Sequence, residues 1–254
     1  MSTMNPNAIP VFVINLDSSQ ERYVHAEHQL VELGVQPSRF AGINGKYLNP
    51  DEIDRCYDKA CNNRHFRRSL SLGEIGCYLS HRAVWQQIVA QNIAQAIVLE
   101  DDVEVDPQLP LAIQQICQLS GWDLIKLADD RATPAYQSLA LSAGFTLVNF
   151  KKVPNLATGY AVSQQGAAKL LSRSKFFRPV DIDLQFGHEL ELQLFSLLPY
   201  TIRPSSKFDS VIDAISGGSR KGNTTTLRNV RYRLQAAWHR FCYRSGDLRS
   251  IRRQ

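Results

Sequence analysis

The run QAIVLEDD at residues 95–102 takes a four-residue apolar stretch straight into three consecutive carboxylates. A short apolar run rich in β-branched residues reads as a buried strand, and in an open α/β sheet the carboxyl edge of such a strand is where ligands gather. AIVL here and VFVI at 11–14 are the two longest apolar runs. A spanning helix needs ~20 apolar residues, so the chain is not expected to cross a bilayer. MSTMNPNAIP has neither the basic nor the apolar region of a secretory leader, and none is expected.

Around that edge, strands and helices alternate. PVFVINL (10–16) reads as a strand. Ser18 and Glu21 form a capping box that opens a helix, which Gly34 closes. Residues 39–43 read as a second short strand, and the polar, basic stretch 44–70 as a long loop with one short helix. A second capping box, Ser71 to Glu74, opens the helical segment LGEIGCYLSHRAVWQQIVAQN. After QAIVLE, Pro107 starts a helix that runs to Gly121, followed by the strands WDLIKLA, FTLVNF and ATGYAVS and a helix over 165–173. This alternation across the first 130 residues predicts an α/β sandwich with a largely parallel sheet.

Crowded carboxylates repel one another unless a cation or hydrogen-bond donors compensate. A hard divalent ion, Mg2+ or Mn2+, bridging Glu100, Asp101 and Asp102 to a diphosphate is one answer, and a solvated acidic loop is the other. A metal-dependent phosphohydrolase and a nucleotide-sugar transferase both fit these acids. Helical spacing puts Glu74, Tyr78, His81 and Trp85 on one stripe, which serves either a polar pocket or capping and core packing.

The five cysteines, odd in number and without a CxxC pair, read as reduced thiols in a reducing cytoplasm. The net charge of +5 is uneven: from Arg220 onward ten Lys/Arg face one acid, Asp247, whereas the rest carries nineteen basic and twenty-three acidic residues. With Tyr232, Trp238, Phe241 and Tyr243 interleaved, this stretch suits a helix lying on an anionic membrane surface. The plain alternative is a terminal helix packed on its own domain. No recognition motif accompanies the charge, so no nucleic-acid partner is expected.

Several segments, in order, resemble glycosyltransferase family 25, which includes the bacterial lipooligosaccharide galactosyltransferases: VINLDSSQER (13–22), RFAGINGKYL (39–48), LSLGEIGCYLSHRAVW (70–85), IVLEDDVEV (97–105), WDLIKL (122–127), ATGYAVSQQGAAKLL (157–171) and PVDIDL (179–184). The resemblance implies a GT-A type fold, Rossmann-like with a mixed, mostly parallel sheet and flanking helices, a nucleotide-sugar donor, and inversion at the anomeric carbon. It implies that Asn15, Leu16 and Arg22 lie near the nucleotide and that Glu74 and His81 flank the donor pocket. Glu100, Asp101 and Asp102 correspond to the acidic motif that holds metal and diphosphate, with Asp102 the direct ligand. Two departures stand out. Ser18 follows Asp17 where a basic residue is common, and PVDIDLQFGHELEL continues unusually after its start.

Inverting transfer needs a base for the acceptor hydroxyl and help for the departing diphosphate. Asp181 is the expected base, with Asp183 and Glu189 as rivals, and its structural alternative is a helix N-cap. His188 is the candidate further metal ligand. SGGSRKG (216–222) is either a lid or a linker. The expectation is thus a GT-A-like domain over 1–222 with a basic amphipathic helix over 223–254. It would move a hexose from a UDP-hexose, UDP-galactose ahead of UDP-glucose, with Mn2+ or Mg2+, onto a lipid-linked oligosaccharide at the cytoplasmic face of a bacterial inner membrane. A phosphohydrolase and a non-catalytic membrane-docking protein are the rivals.

Overall fold

The computed structural model describes residues 9–208 and 225–253. Among them, the core is an eight-stranded sheet in the order β2-β1-β3-β9-β6-β10-β8-β7. Its strands are β1 (Val11–Asn15), β2 (Pro37–Ala41), β3 (Gln95–Glu100), β6 (Leu124–Lys126), β7 (Gln137–Ala140), β8 (Thr146–Asn149), β9 (Gly159–Ser163) and β10 (Leu194–Leu198). Pairs β1–β2, β1–β3 and β6–β10 are parallel, whereas β3–β9, β6–β9, β8–β10 and β7–β8 are antiparallel. The sheet is therefore mixed. The carboxyl ends of β1, β3 and β6 share one edge and carry Asn15, Glu100 and Lys126. Two small ribbons complete the strands: β4 (Val103–Val105) with β11 (Ile202–Pro204), and β5 (Leu119–Ser120) with β12 (Arg252–Arg253).

Alternation along the strands divides the core between the two faces of the sheet. Phe12, Ile14, Ala96, Val98, Leu124, Tyr160 and Val162 join one cluster, with α4 (Leu72–Ala90), α6 (Gln164–Leu171) and α7 (Val180–Gln185). Val11, Val13, Ile97, Leu99, Ile125 and Ala161 join the other, with α1 (Gln20–Glu32) and α5 (Leu109–Cys117). The same parity sends Glu100 and Lys126 toward the α4 and α7 side and Asn15 toward α1.

The structure corrects several expectations. The Ser18–Glu21 capping box does not form: Ser19 is the N-cap of α1 and its side chain makes no cap bond. Asn15 Nδ2 donates to the Ser19 carbonyl at 2.8 Å, tying the start of the helix to β1. The stretch 44–70 holds a short 3-10 turn (Gly45–Tyr47) and two helices, α2 (Pro50–Cys56) and α3 (Lys59–His65). An Asn49–Glu52 capping box starts α2, and the Asp58 side chain caps α3. The helix expected from Pro107 to Gly121 is shorter, because its last residues form β5. Asp181 is not an N-cap, since Pro179 holds that position in α7.

The basic C-terminal helix spans Thr226–Cys242. Arg228 Nη2 donates to Asn62 Oδ1 at 2.9 Å, and Tyr232 meets Phe66 edge-on. The chain then returns to the sheet. The Ser245 amide donates to the Phe150 carbonyl, the Leu194 amide to the Ser245 carbonyl (both 2.8 Å), and Asn149 Nδ2 to the Gly246 carbonyl at 2.7 Å. Only glycine fits at 246, because a Cβ there would lie 2.7 Å from the Phe195 ring. The segment SGGSRKG and the expected boundary at 222/223 lie outside the described residues. Among the described residues, no helix is long and apolar enough to cross a membrane.

Candidate active site

The α4 face shows why its residue types recur at their spacing. Glu74 completes the capping box with Ser71 and accepts both ends of the Arg68 guanidinium, at 2.7 and 2.5 Å. Gly76 lies against the Gly45 turn, where a Cβ would come within 2.5 Å of the Ile43 carbonyl oxygen and the Gly45 nitrogen. Ser80 Oγ accepts from the Ile43 amide at 2.8 Å and donates to the Gly76 carbonyl at 2.8 Å. Tyr78 donates its hydroxyl to Asp183 at 2.7 Å.

His81 is fully buried. Its Nδ1 is 2.8 Å from the Tyr160 hydroxyl and its Nε2 3.4 Å from Glu100 Oε1. The Trp85 indole donates to the same hydroxyl at 2.9 Å. An indole N–H can only donate, so Tyr160 accepts from Trp85, and a chain of contacts runs Trp85–Tyr160–His81–Glu100. Cys77 Sγ adds a contact to Glu100 Oε1 at 3.6 Å. Burial raises the Glu100 carboxyl, but hydrogen bonds from His81, Thr158 and Cys77 outweigh it and hold it below its ordinary value.

On the α1 side, Asn15 Nδ2 donates to Asp101 Oδ2 at 2.6 Å, and its Oδ1 accepts from Arg39 Nε at 2.8 Å. Arg22 reaches Asp101 at 3.0 Å and Asp102 at 2.5 Å. Leu16 is half-buried, its carbonyl accepting from the Ser19 amide at 2.9 Å. Burial raises the Asp101 carboxyl, against Arg22 and Asn15. Asp102 is pushed up to about 6, by burial first and then by Glu100, with Arg22 only partly offsetting. Three adjacent carboxylates with one close guanidinium leave negative charge uncompensated. Carboxylate oxygens suit a hard Mg2+ or Mn2+ ion, and Asp102 stays partly open. Among the described residues, however, the three acids do not bring ligand atoms within 4.8 Å of one another, and Arg22 holds both Asp101 and Asp102.

Lys126 is a buried charge close to the site that the sequence reading did not single out. It is fully buried, with Nζ donating to the carbonyls of Pro154 and Asn155. Burial lowers it to about 7, against the opposing pull of Asp181, Asp129 and Asp130. A lone charge inside the apolar strand WDLIKL was its signal. Arg39, Arg68 and Arg178 were missed as well, being partners supplied from other elements.

Asp181 lies in the first turn of α7 and is half-buried. Among the described residues its carboxylate has no ion pair. Burial raises it, helped by Glu74 and Glu100 and opposed by the Ile182 amide and Lys126. The rivals are committed elsewhere. Asp183 holds Tyr78, Arg173 and Arg178. Glu189 accepts two hydrogen bonds from Arg178 and one from Arg173, which hold it at about 2 despite burial.

His188 is not brought to Asp102. It stacks on Tyr243 with ring centroids 4.1 Å apart and lies 4.4 Å from His239 of the C-terminal helix. Among the described residues, two groups bring potential metal-ligand atoms within 4.8 Å of one another: Cys77, His81 and Glu100, and separately His188, Glu189 and His239.

Comparison with known proteins places the sequence in one family. The family model described as glycosyltransferase family 25 (LPS biosynthesis protein) matches residues 8–185. The chain belongs to glycosyltransferase family 25, and its mixed sheet with flanking helices is a GT-A-like fold. Relatives include a glycosyltransferase 25 family member of Aedes aegypti (29% identical over 180 residues) and procollagen galactosyltransferase 2 of Mus musculus (27% over 186), each match covering 68% of this chain. A rat protein named "Probable inactive glycosyltransferase 25 family member 3" is 26% identical over 181 residues, again 68% of this chain. The match covers only 29%, 29% and 31% of these three relatives' own lengths, under a third in each case.

Proposed function

We propose that the chain is an inverting hexosyltransferase that moves galactose from UDP-galactose onto a saccharide acceptor. The observation that carries this reading is Asp181, the one base candidate left without an ion pair among the described residues, across the strand edge from the Glu100–Asp102 acids. A carboxylate with a raised pKa is better poised to take a proton. In the reaction, the acceptor oxygen bonds to the anomeric carbon as the carbon–oxygen bond to the diphosphate breaks. The diphosphate leaves with the electron pair, and the hydroxyl proton passes to the Asp181 carboxylate.

Arg22 lies beside the acids, where its charge would oppose that building on the leaving diphosphate. Asp102, with Glu100, would hold the divalent ion, which supplies further neutralisation of that charge when bound. Asn15 and Arg39 orient Asp101, and the Trp85–Tyr160–His81 chain orients Glu100. Galactose is favoured over glucose because relatives are named as galactosyltransferases. A lipid-linked acceptor agrees with the family description.

Docking of the C-terminal helix on an anionic membrane is supported by its exposed face. Leu227 (74% exposed), Val230, Leu234, Trp238 (64%) and Phe241 (81%) recur every three or four residues, and at 100° per residue they fall within an arc of about 80°. The opposite face, with Arg228, Tyr232, Ala236 and His239, meets the body. Arg231, Arg233 and Arg240 flank the stripe, an arrangement suited to an interfacial helix. Cytoplasmic placement in a bacterium is part of the same proposal.

Calorimetry of UDP binding with and without Mn2+, followed by a galactose-transfer assay, tests the reading. Metal-dependent UDP binding with transfer supports it. UDP binding without turnover favours a non-catalytic role like the one in the rat protein's name, and phosphate-ester hydrolysis without an acceptor favours a phosphohydrolase.

A further inference from the structure

A cleft separates the C-terminal helix from the body. It is lined by Lys151 and Lys152 from the loop after β8, His188 from the turn after α7, and His239, Arg240 and Arg244. No carboxylate is among its described lining residues. Among the described residues, Lys152 and Arg240 have no ion pair, Lys151 lies over the Tyr136 ring at 4.9 Å, and Arg244 is 3.7 Å from Asp247. His239 Nδ1 is buried without a hydrogen-bond partner. Burial lowers His188 to about 4, with His239 and Arg178 adding to it and Glu189 opposing; burial also lowers His239.

The grouping of His188, Glu189 and His239 raises a choice between a cation and an anion. Glu189 is already held by two guanidinium groups. A dication would meet two neutral imidazoles inside a ring of positive side chains, with no free carboxylate to offset it. An anion would meet Lys152 and Arg240, which have no ion pair among the described residues, with Arg244 beside them and an unused imidazole nitrogen, and charge-assisted hydrogen bonds to such groups are the strong ones. The electrostatics select the anion.

The cleft also adjoins the proposed base. Gln185, at the end of α7, lines it and donates to Asn155 Oδ1 at 2.5 Å, and Asn155 and Pro154 carry the carbonyls that hold Lys126. Asp181 lies four residues back along α7, about 6 Å at helical rise.

We infer that this cleft binds a phosphate group carried by the acceptor saccharide, close to the hydroxyl that receives the transferred sugar. The inference rests on the transferase reading and names its acceptor class, a phosphorylated glycan.

The test begins with full-length protein and no donor. Inorganic phosphate and a hexose phosphate are titrated by calorimetry, with imidazole resonances followed by NMR, and the Lys152→Glu and Arg240→Glu variants are compared after circular dichroism shows them folded. Both probes should shift the His188 and His239 resonances, and either charge reversal should weaken phosphate binding at least tenfold. In transfer assays each reversal should raise KM for a phosphorylated acceptor at least tenfold more than for its unphosphorylated counterpart. The proposal is overturned if phosphate leaves the resonances unmoved or Zn2+ moves them instead. Equal losses on both acceptors also overturn it, as does a response to phosphatidylglycerol vesicles but not to hexose phosphate, which would assign the cleft to a lipid headgroup. Phosphate binding by a protein that transfers no sugar would sink the transferase reading while leaving the anion site standing.

Discussion

Asp181 and Asp183 sit two residues apart in α7, yet among the described residues only Asp183 is ion-paired, to Arg173 and Arg178. The two should therefore fail differently. Asp181→Asn should keep the fold and UDP binding while lowering transfer by on the order of 10²–10⁴. Asp183→Asn leaves Glu189 alone to offset the two guanidinium groups of Arg173 and Arg178 and should cost about 3 kcal/mol of stability. Urea unfolding beside transfer kinetics separates the two. A stable but inactive Asp183→Asn, with an active Asp181→Asn, would exchange their roles.

Asp102 predicts a pH-dependent gain on neutralisation. Its native pKa of about 6 lies above the ordinary 3.8, so the native state binds more protons across that window and stability falls as pH rises through it. Asp102→Asn lacks this loss. It should match the parent near pH 3.5 and be more stable by on the order of 2 kcal/mol at pH 7 without metal. Mn2+ should stabilise the parent and not the variant. Denaturant titrations at the two pH values provide the check.

Lys126 acts in the opposite direction. Its native pKa of about 7 lies below the ordinary 10.5, so the unfolded chain binds the extra proton above pH 7 and stability rises with pH, by at most ~1.4 kcal/mol per unit. The window runs from pH 7 to 9, above which Cys56 and Cys77, raised by burial, pull the other way. Lys126→Met should remove this slope. Equal slopes in parent and variant would show that Lys126 is charged in the fold.

The outward stripe of the C-terminal helix should govern vesicle binding. Trp238→Glu and Phe241→Glu are expected to abolish co-sedimentation with phosphatidylglycerol vesicles without altering the melting temperature. Trp238 emission should shift to the blue when the parent binds. Binding equal to the parent's, or dimers that form through the stripe in light scattering, would refute membrane docking.

Gly76→Ala should be costly although alanine is the better helix former. The added methyl meets backbone atoms at 2.5 Å, and these cannot rotate away. A loss of at least ~2 kcal/mol is expected, measurable by thermal unfolding, with Ser80→Ala milder because it removes hydrogen bonds without a clash.

The parts legible in the sequence were those with local causes. The Ser71–Glu74 box, the strand before the acids and the Gly34 stop each depend on neighbours within a few residues. Ser18–Glu21 failed because α1 starts one residue later, with Ser19 at the N-cap, so Glu21 falls at N2 and not at the N3 position the box requires. The strand β10 went unread because its extended form is imposed by pairing with β6 and β8. At the site the residue types were readable but their assignments were not. Arg22 and Asn15, which only the family resemblance singled out, turn out to hold the acids, whereas His188 is drawn to rings more than fifty residues later by stacking on Tyr243 and His239. Lys126 shows the limit most clearly: only the fold reveals that its ammonium ends on two carbonyls beside Asp181.

The return of the chain at Ser245 and Gly246 bears on how this protein can be altered. The backbone that leaves the C-terminal helix is spliced between the ends of β8 and β10, and Gly246 fills a slot against Phe195 that admits no side chain. A truncation that removes the helix also strips hydrogen bonds from two sheet strands and uncovers an aromatic ring, so its phenotype would mix lost docking with a damaged scaffold. The helix is thus no interchangeable module. Its outer surface can be rewritten residue by residue, but its exit is part of the sheet.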